Sequence, residues 1–351
     1  MNNIKSKLTL FFFLMTTIIG CKNSDRIRED KQIESNKDIV RLNGNDYDLS
    51  EIRKDTIRLD IDFINRQSAL LDDDEEASSL SQLISGYSFD GKFIYFISSN
   101  LDDHDNDDLV LNKFDQDLGH IVSSISINNL IERQSPCGSD KFDNSSGCQV
   151  HRFLISSPEN VSIATMGKGY GVTIFNHDLV KQHELSLKFD TRTIDFINNL
   201  ISNSYYSDST MLINSVEGLL AIKDSSVMLL DSNAICDIKT GEIFEVKRNL
   251  ESSSVSIFQN DSLVLSYKSL PDDISLCNKN VYFWTYAGND SYDLLLVNLF
   301  SGQIRLHKIF LPHSIGPFEF KFSPYSKGVF CNLEYEDRGN RSTSCFFLKL
   351  D

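Results

Sequence analysis

The chain has 351 residues, a formal net charge of −16 and 11% aromatic residues. That length suffices to bury a substantial core, and 24 Phe with 12 Tyr supply apolar area for one. The acidity excludes nucleic acid as a partner, since a phosphate backbone would be repelled, and it makes anionic headgroups poor partners of the folded part.

At the amino terminus, Lys5 and Lys7 precede an apolar run from Leu8 to Ile19, followed by Gly20 and Cys21. Such a run rises about 18 Å as a helix, short of a hydrocarbon core of about 30 Å. A positive start, a short apolar stretch and a small residue at the end make it a secretory signal. The sequence Ile18-Ile19-Gly20-Cys21 resembles the lipobox of bacterial lipoproteins. The resemblance implies a diacylglyceryl group on Cys21 and cleavage just before it. Lys22 stands where an Asp would favour the inner membrane, so the implied place is the outer membrane, facing either the periplasm or the cell surface. Loss of Lys5 and Lys7 takes the charge to −18. The organisation expected is a signal peptide over 1–20, a solvated tether over 21–50, where charges are mixed and large apolar side chains few, and one β domain over 51–351.

Within that domain, Ile57 to Phe63 alternates apolar and charged residues, which predicts a half-buried strand with charges on its solvent face. Lys92–Ser98, Asn160–Met166, Ser226–Leu230 and Asn280–Tyr286 are further β-prone runs. Residues 250–270 add a hairpin, and Thr193–Ser202 has the spacing of a short helix. One turn pattern recurs: an apolar strand end, Asp or Asn, a short turn, then a second strand. Its first residues are Asp115, Asn176, Asp237 and Asn298, each step being 61 residues. Asp and Asn suit such turns because their side chains accept from backbone N–H groups two residues on, and Gly supplies the positive φ that follows.

Two other stretches, Tyr87–Lys92 and Phe322–Lys327, look like the FSPDGK turn between inner strands of propeller blades. Many short strands with regular turns predict an all-β sandwich, barrel or propeller, and the recurring period favours the propeller. The pattern over residues 50–351 resembles bacterial lipoproteins with six-bladed, TolB-like propellers. Six blades are preferred, with five to seven open, closed by the strand near 56–63 pairing with the C-terminal blade. The resemblance implies a noncatalytic binding or scaffold protein of the cell envelope.

With Cys21 assigned to lipid, six cysteines remain, in a compartment expected to be oxidising. Cys331 and Cys345 are equidistant from Arg338 and would face each other across a hairpin; Cys137 and Cys148 bracket a polar loop. Both pairs are expected disulfides, whereas Cys236 and Cys277 are either a third pair or buried thiols.

Motifs for chemistry are weak throughout. Asp103, Asp105 and Asp107 offer oxygens to Ca²⁺, but Asp108 and Phe114 stand where an EF-hand loop needs Gly and Glu, so the stretch reads as a solvated hairpin tip. Gly167–Gly171 lacks the spacing of a phosphate loop and reads as a turn. No serine has a nucleophile-elbow context and no histidine pair a metal-ligand spacing. Catalytic, cofactor and metal residues are therefore all read as none. Tyr282, Trp284 and Tyr286 share a strand face and read as core, with a sugar-stacking platform as the sharper alternative. The functional expectation is a lipoprotein held to a membrane through Cys21 that binds an envelope protein or glycan, with an envelope hydrolase of sugars or peptides as the alternative. A structural subunit of an envelope complex is a third reading.

Overall fold

The computed structural model describes residues 38–60, 85–100, 108–127, 151–157, 159–166, 170–187, 204–207, 210–215, 218–312, 316–337 and 340–350, with 62, 64 and 130. Cys21, Cys137, Cys148, the acidic stretch 101–107 and the predicted helix over 193–202 lie outside them.

The described residues form six sheets, antiparallel throughout except for one strand pair. Three short strands come first: β1 (Ile39–Leu42), β2 (Asn45–Asp48) and β3 (Lys54–Arg58). Blade one then contains β4 (Ser85–Tyr87), β5 (Phe93–Asn100), β6 (Asp108–Asp115) and β7 (His120–Ser126). Blade two contains β8 (His151–Ser156), β9 (Asn160–Met166), β10 (Tyr170–Asn176) and β11 (Lys181–Leu187). Blade three contains β12 (Ser204–Ser207), β13 (Thr210–Ser215), β14 (Gly218–Lys223) and β15 (Ser226–Asp231). Blade four is built on β16 (Ala234–Cys236), β17 (Ile243–Asn249), β18 (Ser254–Gln259) and β19 (Ser262–Tyr267). Blade five is built on β20 (Asp273–Cys277), β21 (Asn280–Gly288), β22 (Ser291–Asn298) and β23 (Ile304–Phe310). Blade six contains β24 (Gly316–Tyr325), β25 (Gly328–Asp337) and β26 (Asn340–Lys349). Each blade is a meander, so this is an all-β propeller of six blades, as the strand pattern predicts. Turns joining first to second and third to fourth strands share one end of the ring, the turn face. The remaining hairpins and the blade-to-blade connections make up the loop face.

The four recurring turns share one chemistry. The side chains of Asp115, Asn176, Asp237 and Asn298 each accept two N–H groups from their own turn. Their phase, however, is not that of the blades. Asp115, Asn176 and Asn298 follow a third strand, while Asp237 follows the first strand of blade four. The equal steps thus mark one turn type used at two places in the meander, not one blade per step.

The early strands do not close the ring as expected. Strand β3 pairs in parallel with β23 of blade five, Ile57 opposite Ile309, and not with the C-terminal blade. The β1–β2 hairpin adds to β19 of blade four, Val40 opposite Tyr267. Beyond β3, Ile64 is fully buried among Phe346, Leu333 and other residues of blade six, and its carbonyl accepts from Ser344 Oγ. The segment is therefore a strap that covers the outer edges of blades four and five and reaches six, satisfying edge N–H and C=O groups on its way.

Closure between blades one and six is made by the two FSPDGK-like turns. Tyr87 stacks on Phe330 at 4.7 Å between ring centroids. Its hydroxyl donates to the Pro324 carbonyl, and Ser326 N–H donates to the Phe89 carbonyl. Gly91 has φ +74°, and a Cβ there would lie 2.4 Å from Cε2 of Tyr325. The same device joins blades three and four, where Gly241 at φ +73° presses on Tyr205. Only glycine tolerates both the left-handed backbone and the contact.

Candidate functional site

The cysteine pairing of the C-terminal hairpin is corrected by its register. In the pairing of β25 with β26, Asp337 lies opposite Asn340, so the register is centred half a residue beyond position 338. Cys331 then lies opposite Phe346, and Cys345 opposite Asn332. A slip of one residue sends the two sulfurs to opposite faces: Cys331 packs among Trp284 and Phe322, Cys345 among Tyr87 and Phe347. They form no disulfide, nor do Cys236 and Cys277, which are buried thiols. Burial pushes the Cys236 thiol up to about 12 and also raises those of Cys277 and Cys331.

Tyr282 and Trp284 are buried, and Trp284 stacks on Phe322 at 3.4 Å, so these rings join blades five and six and leave no sugar platform. Tyr286, on the same strand, is exposed. Around Gly167–Gly171 the flanking strands pair as a hairpin, Tyr170 opposite Met166.

Asp237 is drawn into structure as well. Besides Lys239 and Thr240 of its own turn, its fully buried carboxylate accepts N–H groups from Asn278 and Lys279 at the first turn of blade five. Asn214 acts similarly between blades three and four, its amide bonding both the N–H and the carbonyl of Cys236. With four backbone donors on it, two of them from the next blade, the carboxylate serves here as an inter-blade staple.

Two openings bear on function. On the loop face, a recess of about 640 Å³ lies at the β17–β18 hairpin, lined by Lys247, Arg248, Leu250, Glu251, Ser254 and Phe258 among others. Leu250 stands 78% exposed at this hairpin. Arg248 reaches inward to donate to the Pro271 carbonyl at 3.2 Å. Beyond it, Asp273 begins the innermost strand of blade five, and its side chain keeps contact with solvent although the chain around it is dense. That crowding raises the Asp273 carboxyl and Asp272 adds to the effect, against the Ile274 N–H and the Arg248 charge. Asp272 accepts from Tyr286 N–H at 2.6 Å.

On the turn face, a cleft of about 180 Å³ lies between blades five and six. Its walls include Asn280, Tyr282, Gln303 and Arg305 from blade five, and Lys327 and Leu350 from blade six. With its amide turned so that Oε1 faces the guanidinium, Gln303 accepts from Nε and Nη2 of Arg305, both at 3.2 Å. Among the described residues no Asp or Glu lines the cleft. No group of three or more His, Cys, Asp or Glu among the described residues is placed to hold a metal ion.

No family model and no curated protein matches the chain. Solved structures with a similar fold include the β-propeller domain of the Trilobed protease from Pyrococcus furiosus, described as having an open velcro topology. It is 12% identical, covers 75% of this chain and 78% of its own, and has a TM-score of 0.38. The periplasmic gluconolactonase PpgL of Pseudomonas aeruginosa is 10% identical, with coverage of 77% and 87% and a TM-score of 0.34. A protein of unknown function from Bacteroides caccae is 9% identical, with coverage of 64% and 85% and a TM-score of 0.33. Likeness at this level says nothing about activity, and the propeller stands on its own six sheets.

Proposed function

We propose that the chain is a lipid-anchored protein of the bacterial outer membrane that binds an envelope protein or glycan on its loop face without transforming it. The observation that carries the binding face is the recess at the β17–β18 hairpin, where an exposed Leu250 stands beside Arg248 and Lys247. Arg is among the side chains that most often anchor recognition surfaces, and Leu250 sets an exposed apolar contact beside it. Anchoring rests on the lipobox-like Ile18–Cys21, since each buried CH₂ of an acyl chain contributes about 0.8 kcal/mol to membrane binding.

The test has two parts. Cys21→Ala is expected to move the protein from membrane to soluble fractions, and unchanged retention overturns the anchor. A photo-crosslinking residue at position 250 is expected to give an adduct in cells, whereas one at exposed Leu118 on the turn face gives none. Equal labelling at the two positions, or none at either, overturns the loop-face reading.

A second reading, an envelope hydrolase of sugars or peptides, has one observation in its favour: the raised Asp273 carboxyl at the inner edge beside Asp272 and Arg248. It requires that Asp273→Asn abolish turnover of a glycan or peptide substrate while leaving the melting temperature unchanged.

A further inference from the structure

The cleft between blades five and six has a character opposite to that of the protein around it. In a chain of net charge −16, its lining among the described residues includes Arg305 and Lys327 and no carboxylate. Among the described residues neither cation makes an ion pair. The two cations also come from different walls, Arg305 from β23 and Lys327 from the turn between β24 and β25. Gln303 holds one edge of the half-buried guanidinium through Nε and Nη2, which leaves Nη1 as a donor pair for something else. Asn280 and Asn298 are occupied by each other and by backbone, so they shape the wall and leave ligand contact to the cations.

The geometry points to a binding site for a small organic anion carrying carboxylates at both ends, a dicarboxylate or hydroxy-diacid. A guanidinium presents paired N–H donors that match a carboxylate, and an ammonium supplies a point charge for the second. Size sets the class. A volume of about 180 Å³ equals about six waters at roughly 30 Å³ each, enough for a four- or five-carbon diacid and too small for a drug-sized ligand. This site lies on the turn face and is independent of the loop-face reading.

Succinate, inorganic phosphate and uncharged erythritol are the probes, titrated by calorimetry at low ionic strength into the chain from residue 22. Succinate is expected to bind, with an affinity that falls as salt is added, and erythritol is expected not to. Arg305→Met is expected to weaken succinate at least tenfold, with Arg305→Lys in between and Lys327→Ala about three- to tenfold weaker. Melting temperatures should be unchanged, since both side chains reach solvent. Phosphate bound as tightly as succinate, or succinate affinity unaltered in both Arg305→Met and Lys327→Ala, overturns the proposal. So does succinate binding seen only after Asp351 is deleted, because the cleft would then serve the chain's own terminus.

Discussion

Replacing Asp237 by Ala removes a fully buried acceptor of four backbone N–H groups, at 2.9 and 3.1 Å within its own turn and at 2.8 and 2.6 Å from the first turn of blade five. Hydrogen bonds to a charged acceptor each contribute roughly 1.5–3 kcal/mol, and an orphaned buried donor costs about 1–3 kcal/mol. Lys239 and Thr240 are exposed, so water replaces part of the loss there and the two bonds across the blades dominate. The expected cost is about 4 kcal/mol, at the diagnostic end for single substitutions. Unfolding entropy of about 2.1 cal/mol/K per residue over the ring of residues 38–351 converts that to a fall in melting temperature of about 6 °C. Asn298→Ala is the matched control, because that turn has the same two internal acceptor bonds and no carboxylate bridging to another blade; it is expected to cost about 1 kcal/mol. Asp237→Asn keeps one acceptor oxygen but turns an amide donor toward a backbone N–H, and is expected near the midpoint. Thermal and urea melts of the three variants decide the matter. If Asp237→Ala and Asn298→Ala melt within a degree of each other, the staple between blades does not exist as described.

Three further outcomes follow from the same structure. Gly91→Ala and Gly241→Ala are each expected to cost about 2–4 kcal/mol, because a Cβ meets a Tyr ring at 2.4 Å in a left-handed backbone; a double-mutant cycle with Tyr325→Ala should show coupling for Gly91 and none for Gly241. His307 is buried, and its imidazole is held below its ordinary 6.5 chiefly by that burial. Protons then bind the unfolded chain first, so stability is full above about pH 6.5 and is lost as pH falls toward the folded value; His307→Leu should flatten that part of the pH–stability curve, and an unchanged slope refutes the assignment. Cys236, Cys277 and Cys331 should resist a thiol reagent at pH 8 until the protein unfolds, since burial keeps them protonated, and mass spectrometry should find no peptide joining Cys331 to Cys345.

What was legible in the sequence was whatever local chemistry specifies. The turns at Asp115, Asn176, Asp237 and Asn298 read correctly, because an Asx side chain beside a strand end makes the same two bonds wherever it stands. The FSPDGK-like turns at Tyr87 and Phe322 read as turns between inner strands, and they join the first and second strands of blades one and six. Properties that depend on counting or on distant partners were not legible. A hairpin centre misplaced by half a residue moved Cys345 to the wrong face of its blade. The alternation from Ile57 predicts a strand running to residue 63, but the strand found is Lys54–Arg58, so only Ile57 and Arg58 of that stretch belong to it, and nothing in the pattern signals pairing with β23. The cleft at Arg305 and Lys327 was equally hidden, since two ordinary cations 22 positions apart in the sequence become neighbours only when two blades meet.

The strap has a consequence for how the molecule is made. Val40 waits for Tyr267, and Ile57 for Ile309, so the first strands to be synthesised find their partners more than two hundred positions later. Until then they are exposed edges, open to wrong partners, and contacts of that separation are reached slowly. Blades one to three can assemble from neighbouring sequence during elongation, but the outer rim is finished only after β19 and β23 have been made. A chaperone that shields residues 39–58 of the nascent chain would therefore raise the yield of native protein more than one acting on any later segment.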